Sequence, residues 1–140
     1  MLFPKKVKHR KWQTARKSTK RLNHPDTRGT TVVFGSFALK AMTSARVTSN
    51  QIEAARKVLT RATAKTGKLW IRIFPDRPVT AKPAEVGMGS GKGDPKFYVF
   101  EVRPGRVLFE LDGVAEDVAR AHLRQAGMKL PITTSIVTRR

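Results

Sequence analysis

The chain has 140 residues, enough for one domain with a real hydrophobic core but too few for two of ordinary size. It carries 29 Lys and Arg against 10 Asp and Glu, a net charge of +19, which repels itself unless a polyanion neutralises it; nucleic acid is the expected partner, with an anionic membrane as the runner-up. Cysteine is absent, the three histidines His9, His24 and His122 stand singly, and no apolar run approaches the ~20 residues that span a bilayer, so thiolate metal sites and membrane spans are excluded and neither a metal nor a cofactor is expected.

Residues 1–28 form a basic arm with Lys5, Lys6, Lys8, Arg10, Lys11, Arg16, Lys17, Lys20, Arg21 and Arg28 against the single acid Asp26. The arm has too few apolar side chains for a core and is expected to order on a polyanion. Its basic, acid-poor composition is that of a transit peptide, but lysine contributes at least as much as arginine and Pro4 interrupts any early helix; the chain reads as cytosolic. Trp12 is placed either to stack on a base or to tuck against the protein body.

Residues 29–140 read as a single domain. Val32 to Ala41 is β-branched and aromatic and predicts a strand kinked or bulged at Gly35. Thr48 with Gln51 forms a capping box, and Ile52, Ala55, Val58, Leu59 and Ala62 mark the apolar face of a helix ending near Gly67. Its other face carries Arg56, Lys57, Arg61 and Lys65, either phosphate grips or solvated charges.

Leu69 to Phe74 alternates, with Leu69, Ile71 and Ile73 on one side and Trp70, Arg72 and Phe74 on the other, which predicts a strand. Pro75, Pro78 and Pro83 then predict a stiff extended spacer that carries a glycine-rich loop, about 84–95, away from that strand. The loop core is Gly87-Met88-Gly89-Ser90-Gly91-Lys92-Gly93. It is not a Walker loop, since Val86 stands where the first glycine is required and Gly93 follows Lys92 in place of Ser or Thr. The dinucleotide fingerprint fails too, because its third glycine falls on Lys92 or Asp94. What is left is a passive connector or a loop whose backbone lies close to another surface.

Phe97 to Val102 and Arg106 to Leu111 flank Arg103-Pro104-Gly105 and predict a hairpin. A second helix begins near Ala115, with Glu116 and Asp117 in its first turn and a buried stripe of Ala119, Leu123 and Ala126; His122 beside it reads as a packing or surface residue. Ile132 to Thr138 predicts a last strand. No nucleophile, base or metal set can be assembled, so an enzyme is not expected.

Several of these stretches resemble the universal large-subunit ribosomal protein L-sixteen family in its bacterial form. They are Phe34-Gly35-Ser36-Phe37 with Leu39-Lys40-Ala41, Gln51-Ile52-Glu53-Ala54-Ala55-Arg56, Trp70 to Thr80 with Lys82-Pro83, Met88 to Gly93, Pro104 to Leu108, and Lys129-Leu130-Pro131-Ile132. The resemblance implies an α+β fold, two helices packed on a bent, mostly antiparallel sheet with an extended basic N-terminal arm and a protruding glycine-rich loop. It implies a structural component of the large subunit, in the cytoplasmic ribosome, that binds ribosomal RNA near the peptidyl transferase centre and helps position tRNA in the aminoacyl and peptidyl sites. Its partners would be large-subunit ribosomal RNA, tRNA and neighbouring ribosomal proteins, with no membrane and no cofactor.

Carried onto matching positions, the resemblance assigns RNA binding to Lys5, Lys6, Lys8, Arg10, Lys11, Trp12, Arg16, Arg72 and Lys82. It makes Met88, Gly89, Ser90, Gly91, Lys92 and Gly93 the loop that faces tRNA. Two positions depart from the family. Gly87 stands where much of the bacterial family has an arginine, hydroxylated in some members, so neither that contact nor that modification occurs here; and the arm reads Trp12-Gln13-Thr14-Ala15-Arg16 in place of a glycine-containing pattern, with a longer stretch from Thr19 to Asp26. A free RNA-binding or RNA-chaperone module acting off the ribosome is the alternative.

Overall fold

The structure, a computed structural model, describes residues 2–11, 23–64, 66–81 and 91–139. Its elements run β1 (Phe37–Ala41), β2 (Ala45–Thr48), α1 (Ser49–Thr63), β3 (Lys68–Ile71), β4 (Arg77–Ala81), β5 (Asp94–Val102), β6 (Val107–Asp112), α2 (Glu116–Met128) and β7 (Thr134–Thr138). The α+β class holds: two helices accompany antiparallel strands, which divide into a four-stranded sheet, β3-β6-β1-β7, and a three-stranded sheet, β2-β5-β4.

Helix α1 starts where the capping box requires. The Thr48 hydroxyl accepts from the Gln51 amide at 3.3 Å and the Gln51 side chain accepts from the Thr48 amide at 2.9 Å, so two otherwise orphaned donors are satisfied. Ile52, Ala55 and Leu59 are fully buried, as their spacing predicts; Thr63 replaces Ala62 as the last buried position, donating its hydroxyl to Thr60 O at 3.1 Å. Helix α2 buries Ala119, Leu123 and Ala126, also as expected. Both helices close over one face of the four-stranded sheet, where Leu39, Phe109 and Leu111 meet Ile52, Leu59 and Leu123 in one core. Each such side chain contributes roughly 1.5–3 kcal/mol on leaving water.

Several expectations need correction. Only Phe37–Ala41 of the predicted Val32 to Ala41 strand pairs in a sheet; Val33, Phe34 and Gly35 instead direct their amides at the Glu110 carboxylate. Glycine is required at position 35 because a Cβ there would sit 2.5 Å from the Leu111 carbonyl oxygen. The bulge lies further on, between Leu39 and Lys40. Second, β2 has no counterpart in the sequence reading, being four residues long and abutting the helix cap. The predicted strand from Leu69 ends early as well, at Ile71, although the Arg72 amide still bonds Leu108 O at 2.9 Å.

Third, the proline-rich stretch is no free spacer. Arg77–Ala81 is itself a strand paired with β5, and Pro78 fits because β4 is the sheet's edge, where one side needs no donors. Fourth, β5 and β6 are joined by the predicted turn, yet they enter different sheets and do not pair with each other. The turn's groups are taken elsewhere: the Gly105 amide bonds Ala41 O at 2.7 Å, the Arg106 carbonyl accepts from Ala41 N at 2.8 Å, and the Val107 amide bonds Gly29 O at 2.8 Å.

Candidate nucleic-acid interface

The basic arm and the exit of the glycine loop come together in the described residues. Lys5, Lys6, Lys8, Arg10 and Lys11 are all exposed, and Leu2 packs against the core, which fixes the start of the arm on the body. At the other end of this stretch the Lys11 ammonium donates to the Lys92 carbonyl oxygen at 2.9 Å, and the Arg10 guanidinium lies 4.0 Å from the Asp94 carboxylate. Both contacts are solvated and contribute little stability. Their meaning is positional, since the arm's cations are brought beside Lys92. Gly91 has φ +86 with nothing within 4 Å of a Cβ placed there, so its left-handed backbone, not crowding, is what calls for glycine. Trp12, Arg16, Lys82, Met88, Gly89 and Ser90 lie outside the described residues, as does Gly87.

Arg72 is set apart from that ridge. Register puts Trp70 opposite Glu110, Glu110 opposite Ala38, and Ala38 opposite Val137, so these side chains share the face of the four-stranded sheet turned away from the helices. Arg72 and Lys40 lie on this face too, two residues from Trp70 and Ala38. In its centre Glu110 is fully buried, and its Oε1 accepts from the amides of Val33, Phe34 and Gly35 at 2.9, 2.9 and 3.1 Å. The Arg72 guanidinium stands 3.1 Å from Glu110 Oε2 and donates to Thr31 O at 2.5 Å. A carboxylate that has left water is tolerable only with such partners.

This arrangement pins the segment 30–35 across the sheet and displays one ring. Phe34 stacks on Trp70 with centroids 5.9 Å apart and 19° between planes, the Arg72 guanidinium lies 5.6 Å from the Phe34 centroid, and Phe34 remains 52% exposed. The alternation of Trp70 and Arg72 was readable in the sequence. In the sequence Phe34 and Lys40 read as strand residues within the motifs of the resemblance, and Glu110 as part of a hairpin strand; the legible sign is one acid in the otherwise apolar run Val107-Leu108-Phe109-Glu110-Leu111.

Arg106 fastens the segment leading into this region. It reaches Asp26 Oδ2 at 3.4 Å and Arg28 O at 3.2 Å and lies 5.1 Å from the Phe100 ring centroid. Nearby, the Ser36 hydroxyl donates to Asp112 at 2.8 Å, and that bond, followed by the Gly113 amide, holds the Asp112 carboxyl below the usual carboxylate range. On α1, the hydrogen bond from Arg56 likewise lowers Glu53, which makes Arg56 part of an internal pair. His122 Nδ1 lies 2.9 Å from Val118 O, a surface packing role. No cluster of His, Asp and Glu among the described residues could hold a metal ion, and no described helix is long and apolar enough to cross a membrane.

Known proteins resemble this chain over nearly its whole length. The sequence model of the family described as Ribosomal protein L16p/L10e matches residues 4–137. Proteins called large ribosomal subunit protein uL16 from two strains of Leptospira biflexa serovar Patoc are each 55% identical over 139 residues, covering 99% of this chain and 98% of the relative. The chain belongs to the ribosomal protein L16p/L10e family, a family of structural ribosomal proteins and not of enzymes, and is a protein of the large ribosomal subunit.

Proposed function

We propose that this protein binds large-subunit ribosomal RNA near the peptidyl transferase centre and helps position tRNA in the aminoacyl and peptidyl sites, without catalysing peptide transfer. It works in the cytoplasmic ribosome, as a member of its family. In this reading residues 1–28 are the RNA-binding arm of a single domain, 29–140, and the loop of about 84–95 faces tRNA. The observation that carries it is the hydrogen bond from Lys11 to Lys92 O, which joins the exposed cations Lys5, Lys6, Lys8, Arg10 and Lys11 to the loop exit. Phosphates neutralised along that ridge would release counterions, while the loop's glycines let backbone amides approach the RNA. Trp12, Arg16, Arg72 and Lys82 complete the proposed ribosomal RNA contacts, with Arg72 acting from the far face of the sheet.

The test is binding of the full chain to large-subunit ribosomal RNA fragments across a salt series. The logarithm of affinity is expected to fall by roughly 0.7–0.9 for each phosphate engaged per tenfold rise in salt, and Lys5, Lys8 and Lys11 changed together to Ala to flatten that slope by about 2–3. A salt-independent affinity would overturn the reading. Sedimentation after a moderate salt wash separates it from a free chaperone module: the protein is expected with large subunits, and a free pool alone would favour the chaperone. Lys92→Ala is expected to weaken tRNA accommodation more than Ser90→Ala, and equal, negligible effects would remove the loop from tRNA contact.

A further inference from the structure

We infer that the segment 30–35 is a nucleotide grip: Phe34 takes an unpaired RNA base on its exposed ring, and Lys40 with Arg139 takes the phosphate beside it. The inference rests on the RNA-binding reading above and adds a site on the opposite face of the sheet from the helices.

Three observations meet here. The first is the ring itself. A phenylalanine left 52% exposed at the end of a stack with Trp70 offers aromatic surface on which a base can stack, since every base has a π-face. The second is rigidity. Three consecutive amides, those of Val33, Phe34 and Gly35, are bound by one buried carboxylate, and Arg72 holds both that carboxylate and Thr31 O. Burying Glu110 costs stability that an apolar residue in the same strand would not, and what the arrangement secures is the position of Phe34.

The third is charge. The other side of the same segment lines a cavity of about 490 Å³ in which Val32 and Val137 stand beside three threonines, Lys40 and Arg139, and no acid lines it. Neither Lys40 nor Arg139 forms an ion pair among the described residues. One immobilised six-residue segment thus carries an aromatic surface and borders a groove with two cations and several hydroxyls, the two kinds of contact that a base and a phosphate use. A paired base has both faces occupied by its neighbours, so the grip selects an unpaired or bulged nucleotide.

The full-length protein is titrated with a labelled 12-nucleotide oligoadenylate and with a duplex RNA of the same length. Phe34→Leu, apolar but ringless, is expected to weaken the single strand by roughly 5- to 150-fold at fixed salt and to leave the duplex unchanged, as loss of one stacked base should. Phe34→Trp is expected to keep the affinity. Lys40→Ala with Arg139→Ala is expected to lower the salt slope for the single strand by about 0.7, one phosphate contact's worth. Equal affinities of wild type and Phe34→Leu for oligoadenylate, or equal losses on strand and duplex, overturn the base contact; an unchanged slope overturns the phosphate contact. If Phe34→Leu binds RNA normally but leaves assembled subunits more readily in a salt wash, the ring docks a neighbouring protein and the inference falls. Wild type that binds neither RNA would instead defeat the function proposed above.

Discussion

The two faces of the four-stranded sheet have been put to opposite uses. Towards the helices Leu39, Phe109 and Leu111 belong to one apolar cluster with Ile52, Leu59 and Leu123. On the reverse the strands present Trp70, Arg72, Glu110 and Lys40, covered by a segment with no regular structure that is held by one carboxylate and one guanidinium. The first face is held by area, tolerant in direction; the second is held by direction, with little area. A small basic domain can thus keep its stability on one side and spend the other on display.

The comparison breaks most completely at Phe109, the largest fully buried side chain among the described residues. Phe109→Ala is expected to cost about 3–5 kcal/mol, through lost transfer energy and the cavity left behind, read as a lower urea midpoint. Next comes the reverse face: Glu110→Ala strands the Arg72 guanidinium and three amides and is expected to cost about 3 kcal/mol, with faster hydrogen exchange at Val33, Phe34 and Gly35. Glu110→Gln, which keeps an acceptor oxygen, is expected to lose less, and identical behaviour of the two variants would show that the amides do not need that oxygen. The smallest effect concerns Asp112. Its carboxyl is lowered in the fold, so the stability it contributes is present above the unfolded carboxylate value of about 3.9 and is lost as pH falls through the lower folded value. Ser36→Ala is therefore expected to melt slightly below wild type at pH 7, with the gap closing in acid below about pH 4; a gap that widens in acid would refute the assignment.

What the sequence disclosed depended on how far apart the partners lie. The start of α1 was legible because Thr48 and Gln51 are three residues apart and satisfy each other; the stripe of α2 was legible for the same local reason. The fate of the turn at Arg103 to Arg106 was not, because its groups bond Ala41 and Gly29, which no local pattern names. Pro78 was misread for a related cause: proline rules out a central strand, and only the sheet order shows β4 at an edge. Of the candidate interface, the composition disclosed the exposed cations from Lys5 to Lys11, while the glycine stretch before Gly91 lies outside the described residues; the pairing of Lys11 with Lys92 joins residues 81 apart. The Phe34 stack was hidden in the same way, its anchor Glu110 lying 76 residues further on.

That last separation has a consequence in time. During synthesis Phe34 emerges well before Glu110, and at ~5–20 residues per second the interval is on the order of 4–15 s. Until β6 is made, the amides of Val33, Phe34 and Gly35 have no carboxylate to close on, so the ring cannot be presented. A strongly basic nascent chain surrounded by RNA therefore completes this grip only after its own core strand exists, which makes Glu110 a checkpoint on when the surface becomes competent as well as a clasp that holds it.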